Sequence, residues 1–356
     1  MILPLICNLN FKYSNKTIEI VKQFKYLGCV FTSGGAFNEM EKTLAGQSLK
    51  AIFKLNNYLI KFTTLSPKHK LELFDKLISP IMNYGAEVWG FNKGPTIERT
   101  HLRFLKRILG VKLSTQNNFV YGDTGRMNFQ NRRYTIIVKY WIKICQTNES
   151  KYIRNVYDIL KHDSEVYPNK KNWVSHVKHL LSTLGFYDVW LAQNVGNVKQ
   201  FISLFKQRVN DVFVQNWNAD LRDSSRATFY RTISFFDLQP YLYEVKVPKF
   251  RHALAKLRMS SHRLEVECGR WRKPVSVPIN ERLCTLCGVL EDEYHFVIEC
   301  RLYTQLRKKY IKEYFWKHPS VLKFTQLITS NRKSEITDLS IYVYRAFKLK
   351  QISNYQ

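Results

Sequence analysis

Four residues near the carboxyl end, Cys284, Cys287, His295 and Cys300, stand in the pattern C-x2-C-x7-H-x4-C. Thiolate and imidazole donors at this spacing suit a tetrahedral zinc ion, and four protein ligands leave no position open for water. Such a site fastens a loop and activates no nucleophile, so the pattern predicts a structural zinc. The other cysteines, Cys7, Cys29, Cys145 and Cys268, are scattered singly. A disulfide, or buried reduced thiols packing as small apolar groups, are the alternatives. The disulfide is disfavoured because nothing marks the chain for secretion: the apolar start Met1 to Leu9 is short and has neither a basic leading region nor a clear cleavage site. Gly288, just after the second cysteine, suits a knuckle that turns through positive φ. Phe296 and Val297 beside the histidine are expected to cover the metal with apolar surface.

Charge adds a second constraint. Lysine and arginine total 56 against 28 acids, a formal charge of +28. An excess of that size repels itself in a compact chain unless a polyanion neutralises it, which makes RNA or DNA the first partner to expect. From Lys246 to Leu283 ten basic residues face three acids, Glu265, Glu267 and Glu281. A solvated helix face would give a more even mixture of signs. The expected phosphate-contacting set is therefore Lys256, Arg258, Arg263, Arg270, Arg272, Lys273 and Arg282, with Trp271 interleaved to stack on a base.

The chain is long enough, at 356 residues, for two or three domains, and its 45% hydrophobic content is too high for a disordered polybasic protein. No stretch approaches the ~20 apolar residues of a membrane span. A soluble, intracellular protein of nucleus or cytoplasm is the expectation.

Apolar spacing gives the elements. Ile18, Ile20, Phe24, Tyr26 and the run Leu27 to Thr32 read as short strands, with Ser14 and Asn15 as a turn before them and Ser33 to Gly35 after. The helical period then takes over. Leu44, Leu49, Ile52, Phe53, Leu55, Leu59 and Phe62 form one stripe. Ser66 and Pro67 start a second helix whose buried face is Leu71, Phe74, Leu77, Ile78 and Ile81, and which Pro80 should end or kink. Ile97 to Leu109 make a third, with Phe104, Leu105, Ile108 and Leu109 inward and Gly110 as its stop. Further helices are expected over Phe129 to Cys145, Tyr152 to Lys161, Trp173 to Leu184, Val198 to Trp217, Phe250 to Leu257 and Tyr303 to Trp316. The fold class is mainly α with a small N-terminal β hairpin.

Four strings carry a resemblance. FKYLGCVFTSGG (Phe24 to Gly35) resembles the strand motif closing the palm of reverse transcriptases of non-LTR, LINE-type retrotransposons. LISPIMNYGAEVWG (Leu77 to Gly90) is similar to the helical thumb signature that follows it in that family. LRMSSHRLEVECGRW (Leu257 to Trp271) and RLCTLCGVLEDEYHFVIEC (Arg282 to Cys300) resemble the basic segment and zinc knuckle near the family's carboxyl end. The resemblance implies a palm remnant over 1–35, a helical thumb over 36–110, a helical connector over 111–245, a basic segment and knuckle over 246–316, and a helical tail over 317–356. It also implies that the thumb helices grip a template duplex. The family's polymerase chemistry needs paired aspartates holding magnesium on a Y-x-D-D turn, and no Asp-Asp dipeptide occurs here. The expectation is a catalytically inactive fragment; a piece of a longer active enzyme, or a knuckle that contacts protein, are the alternatives.

The nearest acidic cluster, Glu291 to Glu293, lies inside the metal loop and reads as a solvated turn. His262 and Cys268 read as packing or phosphate-proximal residues. The phosphate-cradling, dinucleotide, zinc-protease and hydrolase motifs are all missing, so no small-molecule substrate is expected.

Overall fold

A computed structural model describes residues 11–61 and 65–353. Cys7, the apolar start Met1 to Leu9 and Phe62 lie outside the described residues, as does the side chain of Leu59. The fold is mainly helical, preceded by two small antiparallel hairpins.

Lys12–Tyr13 pairs with Lys16–Thr17 around Ser14 and Asn15, at φ 46° and 63°. Gln23–Tyr26 pairs with Cys29–Thr32 around Leu27 and Gly28, at φ 46° and 83°. Two successive positive φ values match the two-residue turn whose twist suits a hairpin. The run Leu27 to Thr32 is therefore not one strand, because Leu27 belongs to the turn. Tyr84 holds that turn by donating its hydroxyl hydrogen to the Leu27 carbonyl at 2.6 Å, and a Cβ on Gly28 would come within 3.0 Å of the Tyr84 ring. Ile18 and Ile20 lie between the hairpins and are exposed.

Helix Asn38–Lys61 buries Leu44, Ile52 and Leu55 but exposes Phe53 (67%) and Leu49 (40%), so its stripe is narrower than expected. Helix Pro67–Leu77 buries Leu71 and Phe74, while Leu77 is exposed. Pro80 sits in the first turn of a separate short helix, Ser79–Met82, where its missing N–H costs nothing. Helix Pro95–Leu109 stops at Gly110, which has φ 68°. There a Cβ would meet the His252 ring at 2.4 Å.

The chain forms two units. One takes its described residues from Met1–Asn56, Phe74–Thr100 and Met127–Val214, the other from Asn57–Leu73, His101–Arg126 and Gln215–Gln356. The stretches 36–110 and 111–245 each contribute to both.

The first unit has an apolar core. Helix Phe129–Cys145, capped by the Asn128 side chain, supplies Ile137, Val138 and Trp141. Helix Trp173–Thr183 begins with a reciprocal cap between Asn172 and Ser175 and supplies Val174, Val177 and Leu181. Phe201, Phe205 and Val209 of helix Val198–Asp223 complete it. Trp141 stacks on Trp190 at 6.3 Å, and its N–H donates to the Tyr157 hydroxyl oxygen at 3.0 Å.

The second unit is organised around helix Pro248–Arg258, packed on the last helix, Lys333–Ser353. That last helix is core: Leu339, Tyr342, Val343 and Ala346 are buried. Buried charge sits among these apolar contacts. Asp123, fully enclosed at the end of helix Asn117–Thr124, accepts from Tyr230 at 2.9 Å, Tyr241 at 2.8 Å and Arg258 Nε at 3.1 Å. Arg258 also donates to Gln239 and to the Ile328 carbonyl. Burial, then the neighbouring carboxylate, pushes both tyrosines well above their ordinary range, so both act as donors.

Candidate metal centre and the basic surface beside it

The knuckle begins with backbone. Cys284 N donates to the Val289 carbonyl at 2.7 Å and Gly288 N to the Cys284 carbonyl at 2.8 Å, with Leu283 bridged to Leu290. Gly288 turns the chain at φ 69°, as its position predicted. The third donor opens a π-helical turn, His295–Glu299, whose first amide is held by Asp292 Oδ1 at 2.7 Å, and the fourth, Cys300, directly follows that turn. Arg307 ties the turn's end by donating to the Val297 and Cys300 carbonyls. Phe296 and Val297 are buried, with Phe296 against Tyr303 and Phe347 and the Tyr342 hydroxyl on its carbonyl. These contacts seat the loop on the core of the second unit.

One donor atom from each of Cys284, Cys287, His295 and Cys300 lies within 4.8 Å of the others, and the cluster can hold a metal ion. The sulfurs of Cys284 and Cys287 stand 4.0 and 3.9 Å from that of Cys300. A tetrahedron with metal–sulfur bonds of about 2.3 Å has edges of about 3.8 Å, so the spacing fits a shared ion; a disulfide would need about 2.05 Å. His295 gives an independent sign. It is buried, neither ring nitrogen has a hydrogen-bond partner, and Glu299 at 3.6 Å from Nδ1 is too far to serve. A cation removes that penalty by taking one nitrogen. Burial first, and then the Cys284 and Cys287 sulfurs, push the Cys300 thiol up to about 12. Three sulfurs gathered this closely share negative charge only against a cation.

The acids of the loop are not a solvated turn. Glu291 and Glu293 are buried and grip the preceding basic segment. Glu291 Oε2 accepts from Glu265 N at 2.8 Å, its carbonyl accepts from Val266 N at 3.0 Å, and its other carboxylate oxygen pairs with Lys350. Glu293 Oε1 takes Ser260 at 2.8 Å and His262 at 2.9 Å. Burial alone would raise the Glu293 carboxyl, but His262 and Ser260 more than reverse that and hold it below the usual range. The metal loop is thus bonded to residues 260–266 by side chain and main chain together.

The structure divides the sequence-predicted phosphate contacts. Arg258 is spent on Asp123 inside the core, and Arg282 is buried with its guanidinium on the Val277 and Val266 carbonyls, so neither reaches solvent phosphate. Their high charge is structural. Lys256 is half-buried, and Arg270 is half-buried near Glu267 at 3.3 Å. That ion pair lacks hydrogen-bond geometry at Nε, which has no partner. Arg263, Arg272 and Lys273 are exposed, although Arg272 pairs with Glu265 at 2.7 Å. Trp271 is 61% exposed. His262 is a packing residue, fixed by Glu293.

Two cations join this surface from elsewhere in the sequence. Lys112 donates to the His262 carbonyl at 3.0 Å, and Arg226 lies over the Trp271 ring at 5.0 Å. Nothing in their local sequence marks them. Together with Trp271 and Arg263 they line a groove of about 440 Å³ within the second unit. Among the described residues no helix is long and apolar enough to cross a membrane. No family model, curated protein or solved structure matches this chain.

Proposed function

We propose that this chain is the non-catalytic, nucleic-acid-binding carboxyl part of a non-LTR retrotransposon reverse transcriptase, held in shape by a structural zinc ion at Cys284, Cys287, His295 and Cys300. The observation that carries the reading is the double grip of Glu291 and Glu293 on residues 260–266. It couples a closed metal site to a cationic surface, and a closed site serves structure better than hydrolysis. Zinc is favoured by the soft donor set and the tetrahedral spacing. Net charge supports a polyanionic partner, RNA or DNA, met in the nucleus or cytoplasm. The helical thumb contributes a duplex grip by resemblance alone. This reading assigns the chain no catalytic step and no small-molecule substrate.

Salt dependence tests it. With about four phosphates neutralised, by residues such as Lys112, Arg263, Arg272 and Lys273, log affinity should fall against log salt with a slope of about 3 to 4. A flat response would reject the reading. It would favour a knuckle that contacts protein, which Leu283, Leu286 and Val289, all exposed on the metal loop, also suit.

A further inference from the structure

We infer that the groove beside Trp271 receives one unpaired nucleotide of a nucleic-acid strand, base against the indole and phosphate among Lys112, Arg226 and Arg263. The inference rests on the nucleic-acid reading above and narrows it to strands with a free base. Three separate stretches build the groove: Lys112 to Thr115, Arg226, and the segment from Ser260 to Trp271. At about 440 Å³ it falls within the about 300–1,000 Å³ of small-ligand clefts, room for a nucleotide but not for a base pair inside its helix.

The indole is exposed yet held. Its N–H donates to Glu267 Oε1 at 3.0 Å, and Arg226 donates to the same oxygen at 3.1 Å. Arg270 approaches the other oxygen at 3.3 Å. Glu267, 7% exposed, therefore spends its charge on two donors and a neighbouring guanidinium and repels an incoming phosphate little. The same contacts fix the ring for stacking at low entropic cost. Lys112 uses one ammonium hydrogen on the His262 carbonyl and keeps two for an anion. A paired base cannot offer its face to Trp271, so a duplex engages this surface only through its backbone.

The test is fluorescence anisotropy of the full chain with a labelled single strand and with its fully paired duplex, at one salt concentration. Trp271→Ala should weaken the single strand by about tenfold or more and the duplex less than about twofold, and Trp271→Phe should restore most of the loss. Arg263→Ala, at an exposed position, should lower the single-strand salt slope by about 0.7 and keeps the test open should the tryptophan variant misfold. Equal losses on both nucleic acids, or unchanged single-strand affinity and slope, overturn the groove while wild-type binding leaves the broader reading intact. If AMP displaces the strand as well as unlabelled strand does, the site is one for free nucleotides and the inference is wrong. Wild-type protein that binds neither nucleic acid overturns both readings.

Discussion

The two units balance apolar and charged groups in their interiors differently. The first fills the cluster around Trp141 with Ile137, Val138, Val177, Leu181 and Phe205, groups that only need to fit, and encloses few charges, Arg133 and Glu41 among them. The second buries Asp123, Arg258, Glu291, Glu293 and three of the four residues of the metal-competent cluster, groups that must be matched one to one. Apolar packing stabilises broadly and tolerates change of shape, whereas a desolvated charge stabilises only while its partner is present. The second unit should therefore fail abruptly on loss of one partner, and the first by degrees.

The largest expected effect follows from the proposed metal. Structural zinc is worth about 10–16 kcal/mol in small finger peptides, so Cys284→Ser should open residues 260–300 to proteolysis while fragments covering 129–209 survive. Equal cleavage of the two would erase the contrast.

Next comes the buried ion pair. Asp123→Ala strands the Arg258 charge and the Tyr241 hydroxyl and leaves Tyr230 only the Phe119 carbonyl, and should cost about 3–5 kcal/mol in urea unfolding of the second unit. Asp123→Ala within about 1 kcal/mol of wild type would show that the network is not where the stability lies.

Leu181 sharpens the other side. Leu181→Ala should cost about 2–5 kcal/mol and Leu181→Met under about 1.5, a graded response of the apolar core. A methionine variant as damaging as the alanine one would mean that this core is as exacting as the second.

The smallest effect concerns His252, packed against Gly110. Burial, reinforced by Arg251 and by Lys256 and Lys70, pushes it down to about 4, against about 6.5 in an unfolded chain. The unfolded state takes up this proton first, so the second unit should lose stability as pH falls from about 6.5 to about 4. His252→Gln removes that contribution, and its urea midpoint should shift less than wild type between those limits. Identical shifts would show that the imidazole is not held neutral.

Legibility follows the same division. Helix Phe129–Cys145 lies where apolar spacing put it, and Gly110 stops its helix as expected, because period and capping are local properties. That Cys284, Cys287, His295 and Cys300 cluster was readable for the same reason. Short helices such as Tyr230–Ile233 and Tyr241–Glu244 span barely one turn and leave no periodic trace. Arg258 and Arg282 looked like phosphate contacts because a charge count is silent about burial, and the partner of Arg258 lies 135 residues away. Glu291 and Glu293 looked solvated because their partners, Glu265 N and His262, come from another segment. Leu27 looked like strand because its turn is held by Tyr84, 57 residues on.

Hydrogen exchange of the metal-loaded and metal-stripped protein, read by mass spectrometry, addresses most directly the coupling of metal site to cationic groove. Stripping should abolish amide protection across 260–300, the groove segment included, and leave 129–209 unchanged. Protection that persists through 260–268 without metal would contradict the coupling.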